Sequence, residues 1–212
     1  MTLWGEQSRP VDEDALVTNH LAWYIARGSG IVTWSLLVAS MIWGLLYATR
    51  LFRRRVSLWW LLGVHRFLGA LAIIFTFVHV IALLLDNFVG FQLTDALIPF
   101  TSTWHPIAVG WGVIAMYLLV AIETTSLLKS RLPYRWWRNV HLASYPLFAL
   151  ATVHSLSAGT DTKTVIGDGL AIAVGAVAIA LALVGLDRRA AADPRRPTSP
   201  TDVPRQNAPW IR

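Results

Sequence analysis

Five apolar runs divide the chain: residues 29–49, 58–85, 106–128, 136–158 and 165–187. At about 1.5 Å per helical residue, each can cross a hydrocarbon core of about 30 Å, some with help from their flanks. The pattern predicts an all-α integral membrane bundle of five to six helices, with five spans, A to E. The stretch LAWYIARGSG (21–30) reads as an interfacial lead-in, with Trp23 and Tyr24 at headgroup depth, and offers helix A an earlier start.

The polar stretches sort into three kinds. Residues 1–28 hold Glu6, Asp12, Glu13 and Asp14 and lack the basic start and cleavage site of a secretory signal, so they are expected to be retained outside the membrane. The B to C connection, DNFVGFQLTDALIPFTSTWHP (86–106), reads as a re-entrant or surface-lying outer cap. The tail, 188–212, is rich in proline and polar residues and is expected to be largely disordered. The transmembrane domain is thus 29–187.

Composition agrees with a membrane chain: of 212 residues, 55% are hydrophobic and only 14% charged, and the mean hydropathy is +0.52. The net charge of +6 does not point to nucleic acid, because the basic residues flank apolar runs and form no aromatic-interleaved surface. They are distributed by side. Fourteen lie in the A to B loop, the C to D loop and the tail, against Arg9, Arg27 and Lys163 on the opposite side. By the positive-inside rule the C-terminus is cytoplasmic and the N-terminus outside. The absence of cysteine excludes disulfides, thiolate metal sites, cysteine-held iron–sulfur clusters and covalent haem attachment.

Candidate chemistry lies in helices B and D. HRFLGALAIIFTFVH (65–79) carries two histidines fourteen positions apart, and HLASYPLFALATVH (141–154) carries two that are thirteen apart. Both helices run from inside to outside, so His65 and His141 share an inner level, His79 and His154 an outer one. The levels are about 20 Å apart at 1.5 Å per residue. Intramembrane ionisable groups are costly and functional by default. Two imidazoles at each of two depths suit two b-type haems, His65 with His141 and His79 with His154, because histidine holds haem iron without covalent attachment. The alternatives are a proton relay, another metal, or structural histidines. Zinc is disfavoured, since neither pair is joined by a cysteine or carboxylate.

Helical geometry constrains this reading. Fourteen positions return to within about 40° of one face, but thirteen leave a residue about 140° away. Helix D must therefore be distorted, or its two haems approached from different azimuths; Pro146, between the histidines, is a cause of distortion. Gly63, Gly69, Gly110, Gly112, Ala143 and Ser144 leave room for a porphyrin or simply for close helix packing. Arg66 is placed equally well on a haem propionate or on Glu123. His20 and His105 fall outside the spans, and His105 before Pro106 marks a helix start. Trp59, Trp60, Trp136 and Trp137 read as interfacial belt residues.

With these residues in place, the chain resembles the ferric-reductase-like transmembrane family, which includes membrane ferric reductases, the haem core of NADPH oxidases and the haem subunit of bacterial methionine-sulfoxide reductase systems. The resemblance rests on WYIARGSGI before helix A, VHRFLGALAIIFTFVHV in helix B, and RWWRNVHLASYPLFALATVHSLSAGTDT in helix D and its following loop. It covers about residues 21–187, and its GTDT loop resembles that of standalone bacterial members.

The resemblance implies a two-haem bundle in a bacterial cytoplasmic membrane, with His65 and His141 on the inner haem and His79 and His154 on the outer. The family's reductases carry a cytoplasmic FAD and NAD(P)H module, for which the tail here is far too short, and often a sixth helix. The expected function is transmembrane electron transfer, from a separate flavoprotein reductase or membrane quinol to an extracytoplasmic acceptor: ferric iron, a periplasmic protein or dioxygen. The chain would be the haem-binding electron-transfer subunit of an oxidoreductase. The alternative is a non-catalytic haem-binding or anchoring subunit.

Overall fold

The computed structural model describes residues 13–49, 57–86 and 90–158, together with Ala173, Ala176, Val177 and Ala180. The 1–12 segment, the tail and nearly all of predicted helix E lie outside the described residues. Every described element is helical: α1 (Glu13–Thr49), α2 (Leu58–Leu85), α3 (Leu93–Leu97), α4 (Pro106–Leu127), α5 (Tyr134–Leu142) and α6 (Ser144–Ala158), with a 3-10 turn at Lys129–Arg131.

Among the described residues, three helices are long and apolar enough to cross a membrane: the Leu21–Ala48 part of α1, α2 whole, and α4 whole. Helix A therefore begins well before residue 29, and the lead-in forms the first turns of its apolar part. Such helices bury little of their apolar surface within the chain. Phe67, Ile74, Phe77 and Ile81 line an exposed face of α2, as expected of side chains that meet lipid instead of protein.

The boundaries follow from local chemistry. Ser57 caps α2 by accepting the Trp60 amide at 3.1 Å. Helix α4 begins at Pro106, whose missing N–H costs nothing in a first turn, and His105 precedes it in the left-handed region at φ 43°. The predicted helix D is interrupted at Ala143, where the chain tightens into an i to i+3 bond from Ala143 N to Val140 O at 3.0 Å. Pro146 explains the place: it has no N–H to offer the Leu142 carbonyl, and its ring crowds that oxygen. A distortion of helix D, one of the two alternatives that the thirteen-residue spacing left, is thus present.

Helix α1 packs mainly on α2, and α4 on α6. Between these pairs lies a core of Ala72, Ala115, Leu119, Ile122 and Leu147, with Leu36 and Leu37 of α1 against it. Trp34 ties α1 to α6: its Nε1 donates to Thr152 Oγ1 at 3.1 Å, and its ring stacks on Phe148. Val177, in the region predicted as helix E, is buried with Trp34 and Val38. Replacing Trp34→Phe keeps the aromatic stack and leaves Thr152 Oγ1 donating to Phe148 O at 2.8 Å. Denaturant unfolding in mild detergent is expected to register a loss of about 0.6 to 1.7 kcal/mol, the range of interhelical hydrogen bonds in membranes.

Candidate functional site

The tertiary structure brings the four helix histidines together in two pairs. His65 meets His141 with ring centroids 5.9 Å apart and planes at 78°, and His79 meets His154 at 6.4 Å and 81°. These are the pairings expected from matched depth. The core of small and branched side chains separates the two levels.

Three of the four rings are held in one way. His79 Nδ1 donates to the Ala26 carbonyl at 2.6 Å, His154 Nδ1 to the Ala108 carbonyl at 2.8 Å, and His65 Nδ1 to the Ser40 carbonyl at 3.0 Å, with the Ser40 hydroxyl 3.1 Å away. A carbonyl oxygen only accepts, so in each ring Nδ1 carries the proton and Nε2 keeps its lone pair for another partner.

Each acceptor carbonyl stands one helical turn before a glycine: Ala26 before Gly30, Ser40 before Gly44, Ala108 before Gly112. A Cβ at Gly30 would lie 3.1 Å from the His79 ring, one at Gly44 3.2 Å from His65, and one at Gly112 only 2.7 Å from His154. The glycines are therefore seats for the imidazoles. Gly30 and Gly44 are fourteen apart on α1, the same interval as His65 and His79 on antiparallel α2, and this match was readable in the sequence.

The other small residues do different work. Gly69 receives the carboxylate of Glu123, Gly110 receives the ring of Phe100, and Gly63 faces open space. None of these three makes room beside a histidine. Arg66 is exposed.

Around His79 and His154 lies a cavity of ≈ 300 Å³ between α1, α2, α4 and α6. Its wall is mainly apolar. The side away from the core carries Trp23, Arg27, Asp86 and Trp104. Arg27, which the charge pattern had placed only as an outside cation, is half-buried in this wall with its guanidinium 4.8 Å from the Trp23 ring centroid. The connection after α2 reaches the cavity through Phe91, Ala96 and Trp104. It is pinned to α4 by Tyr117 Oη, which donates to the Leu97 carbonyl at 2.6 Å. It caps this level.

The other level differs. Among the described residues, His141 Nδ1 is buried without a hydrogen-bond partner, as are Trp43 Nε1, Ser126 Oγ and Trp137 Nε1. Trp59, Trp60 and Trp136 are exposed, as interfacial residues should be. Trp137 is not: it is half-buried and stacks on His141 at 5.1 Å and 22°.

Among the described residues, no group of three or more histidine, cysteine, aspartate or glutamate side chains converges as the ligands of a protein-held metal ion would. The histidine sites are pairs. Comparison with curated proteins and with solved structures found no match. Over residues 21–161, from the first turns of the apolar part of α1 to just past α6, the chain matches the family described as "Domain of unknown function (DUF8596)", and it belongs to that family.

Proposed function

We propose that the chain is a di-haem b-type cytochrome of a bacterial cytoplasmic membrane, in which His65 and His141 hold an inner haem and His79 and His154 an outer one. The observation that carries this reading is the spacing of the paired imidazoles. A metal–imidazole bond is about 2 Å, so two rings bound through Nε2 on opposite sides of one metal have centroids about 6 Å apart. The separations of 5.9 and 6.4 Å fit, and the carbonyl bonds at three Nδ1 atoms leave Nε2 as the coordinating nitrogen. Trp43 Nε1 and Ser126 Oγ are buried donors without acceptors among the described residues, which suits a cofactor with carboxylate groups.

Bound haem supplies one-electron chemistry, and two imidazoles per iron leave no position for substrate. The protein's part is to fix ring orientation, exclude water with an apolar wall, and keep the levels apart with the Ala72–Leu119–Leu147 core. This is the arrangement of an electron-transfer subunit. We place the donor, a flavoprotein reductase or quinol, on the cytoplasmic side and the acceptor outside. A membrane potential negative inside favours that direction by about 2.3 kcal/mol per 100 mV for a full charge crossing. The ferric-reductase-like resemblance supports the same reading.

The test is an optical redox titration of the purified chain with pyridine-haemochrome quantitation. Two b-type haems per chain, reduced by a flavoprotein or quinol and reoxidised by an outer acceptor, are expected. Fully assembled protein without haem overturns the reading. Haems that stay redox-silent in the native complex favour an anchoring subunit.

A further inference from the structure

We propose that Trp137 is the positioning residue of His141, replacing by ring stacking the carbonyl hydrogen bond that orients the other three histidines. The proposal rests on the haem reading and adds that the two haem sites are built differently.

The seat used by the other rings is missing at this position. Fourteen residues after Gly112 along α4, where a fourth glycine would repeat the pattern of α1, stands Ser126. His141 Nδ1 correspondingly has no partner. With no hydrogen bond on Nδ1 among the described residues, that atom does not set the ring's rotation.

Its flat face is held instead. Trp137 lies one helical turn earlier on α5, the spacing at which side chains meet, and its near-parallel plane at 22° fixes the imidazole face. Trp137 is itself braced. Tyr134 packs on it at 5.7 Å, and Lys129 Nζ sits 4.0 Å from its ring centroid as a cation over the aromatic face. Interruption of the helix at Ala143, directly after this unit, lets α5 carry His141 to His65 while α6 carries His154 to His79.

The two sites then differ electronically. An Nδ1–H bond to a carbonyl makes an imidazole a stronger donor to its metal, and so favours the oxidised state. Both outer histidines have that bond, but only His65 does at the inner level. The Lys129 ammonium, 4.0 Å from the ring of the Trp137 that stacks on His141, has the same sense as the missing bond: both raise the inner midpoint.

The experiment uses the full chain in lipid nanodiscs, with wild type, Trp137→Leu, Trp137→Phe and Lys129→Met read by haem content, potentiometry and low-spin ferric EPR, whose signal depends on the angle between the imidazole planes. Trp137→Leu is expected to shift the inner signal or lose the inner haem, with the outer haem unchanged, and Trp137→Phe to restore the wild-type signal. Lys129→Met, at an exposed position, is expected to lower the inner midpoint alone. Wild type with two haems and Trp137→Leu with unaltered signals and midpoints overturns the inference and leaves the haem reading standing. Equal loss of both haems in Trp137→Leu, unrescued by phenylalanine, also overturns it. Lys129→Met with neither midpoint moved overturns it too, and this variant is informative even where Trp137→Leu does not assemble. Wild type without haem ends both proposals.

Discussion

His79→Ala is expected to bind one haem where wild type binds two, and to lose transmembrane electron transfer. On the di-haem proposal His79 would be one of the two residues that hold the outer haem, and its ring is seated against Gly30 and bonded to the Ala26 carbonyl. Alanine leaves His154 facing an enlarged apolar cavity with nothing opposite. Loss of a mere supporting hydrogen bond typically costs about 10- to 100-fold in metal affinity, and loss of a ligand costs more. The inner pair lies about 20 Å away along α2, at 1.5 Å per residue, and shares no ligand with the outer one, so it should keep its haem. Pyridine-haemochrome quantitation should give half the wild-type haem, and reduction from the inner side should stop at the remaining centre. Retention of both haems would remove His79 from the ligand set.

Gly112→Ala is expected to act on the same level without touching a ligand. The added methyl would stand 2.7 Å from Cε1 and Nδ1 of His154, closer than real side-chain carbons approach. His154 is 2.8 Å from the Ala108 carbonyl on the same helix, so the ring can yield only by giving up that bond or moving toward His79. A ring tilted off its seat presents Nε2 wrongly. Outer haem retention is therefore expected to fall by about 10- to 100-fold, as for other disrupted supporting contacts of metal ligands.

Gly63→Ala provides the contrast. Nothing lies within 4 Å of its added carbon, and helix propensity favours alanine by up to about 1 kcal/mol. Its haem spectrum should match wild type. If Gly112→Ala and Gly63→Ala behave alike, the glycine seat has no importance.

Much of the fold was legible because lipid imposes a simple code. Backbone groups in hydrocarbon must be satisfied within the segment, so long apolar runs become helices, and α2 and α4 appear within a residue of their expected bounds. The histidine pairing was legible for a similar reason: rise per residue converts interval into depth, and depth alone selects His65 with His141 and His79 with His154. The bounds 29–49 start helix A later than α1 begins because the cation Arg27 stands just before them, although the lead-in at 21–30 offered the earlier start. There Ser29 Oγ donates to the Ile25 carbonyl at 2.5 Å, and Arg27 lies against Trp23.

The roles of individual small and aromatic residues were not legible. Composition cannot distinguish a glycine that seats an imidazole from one that admits Glu123 or Phe100, since that depends on which neighbour faces it. Trp137 looked like its neighbour Trp136. One residue of helical rotation turns Trp136 outward and Trp137 onto His141.

The sequence by itself determined a membrane bundle, its main helices, and the depth at which four imidazoles stand, because all three follow from distances measured along one helix axis. The tertiary structure alone decided what surrounds each imidazole. Azimuth and helix-to-helix approach are set by packing, which places the carbonyls of Ala26, Ser40 and Ala108 behind three rings and leaves the fourth to Trp137.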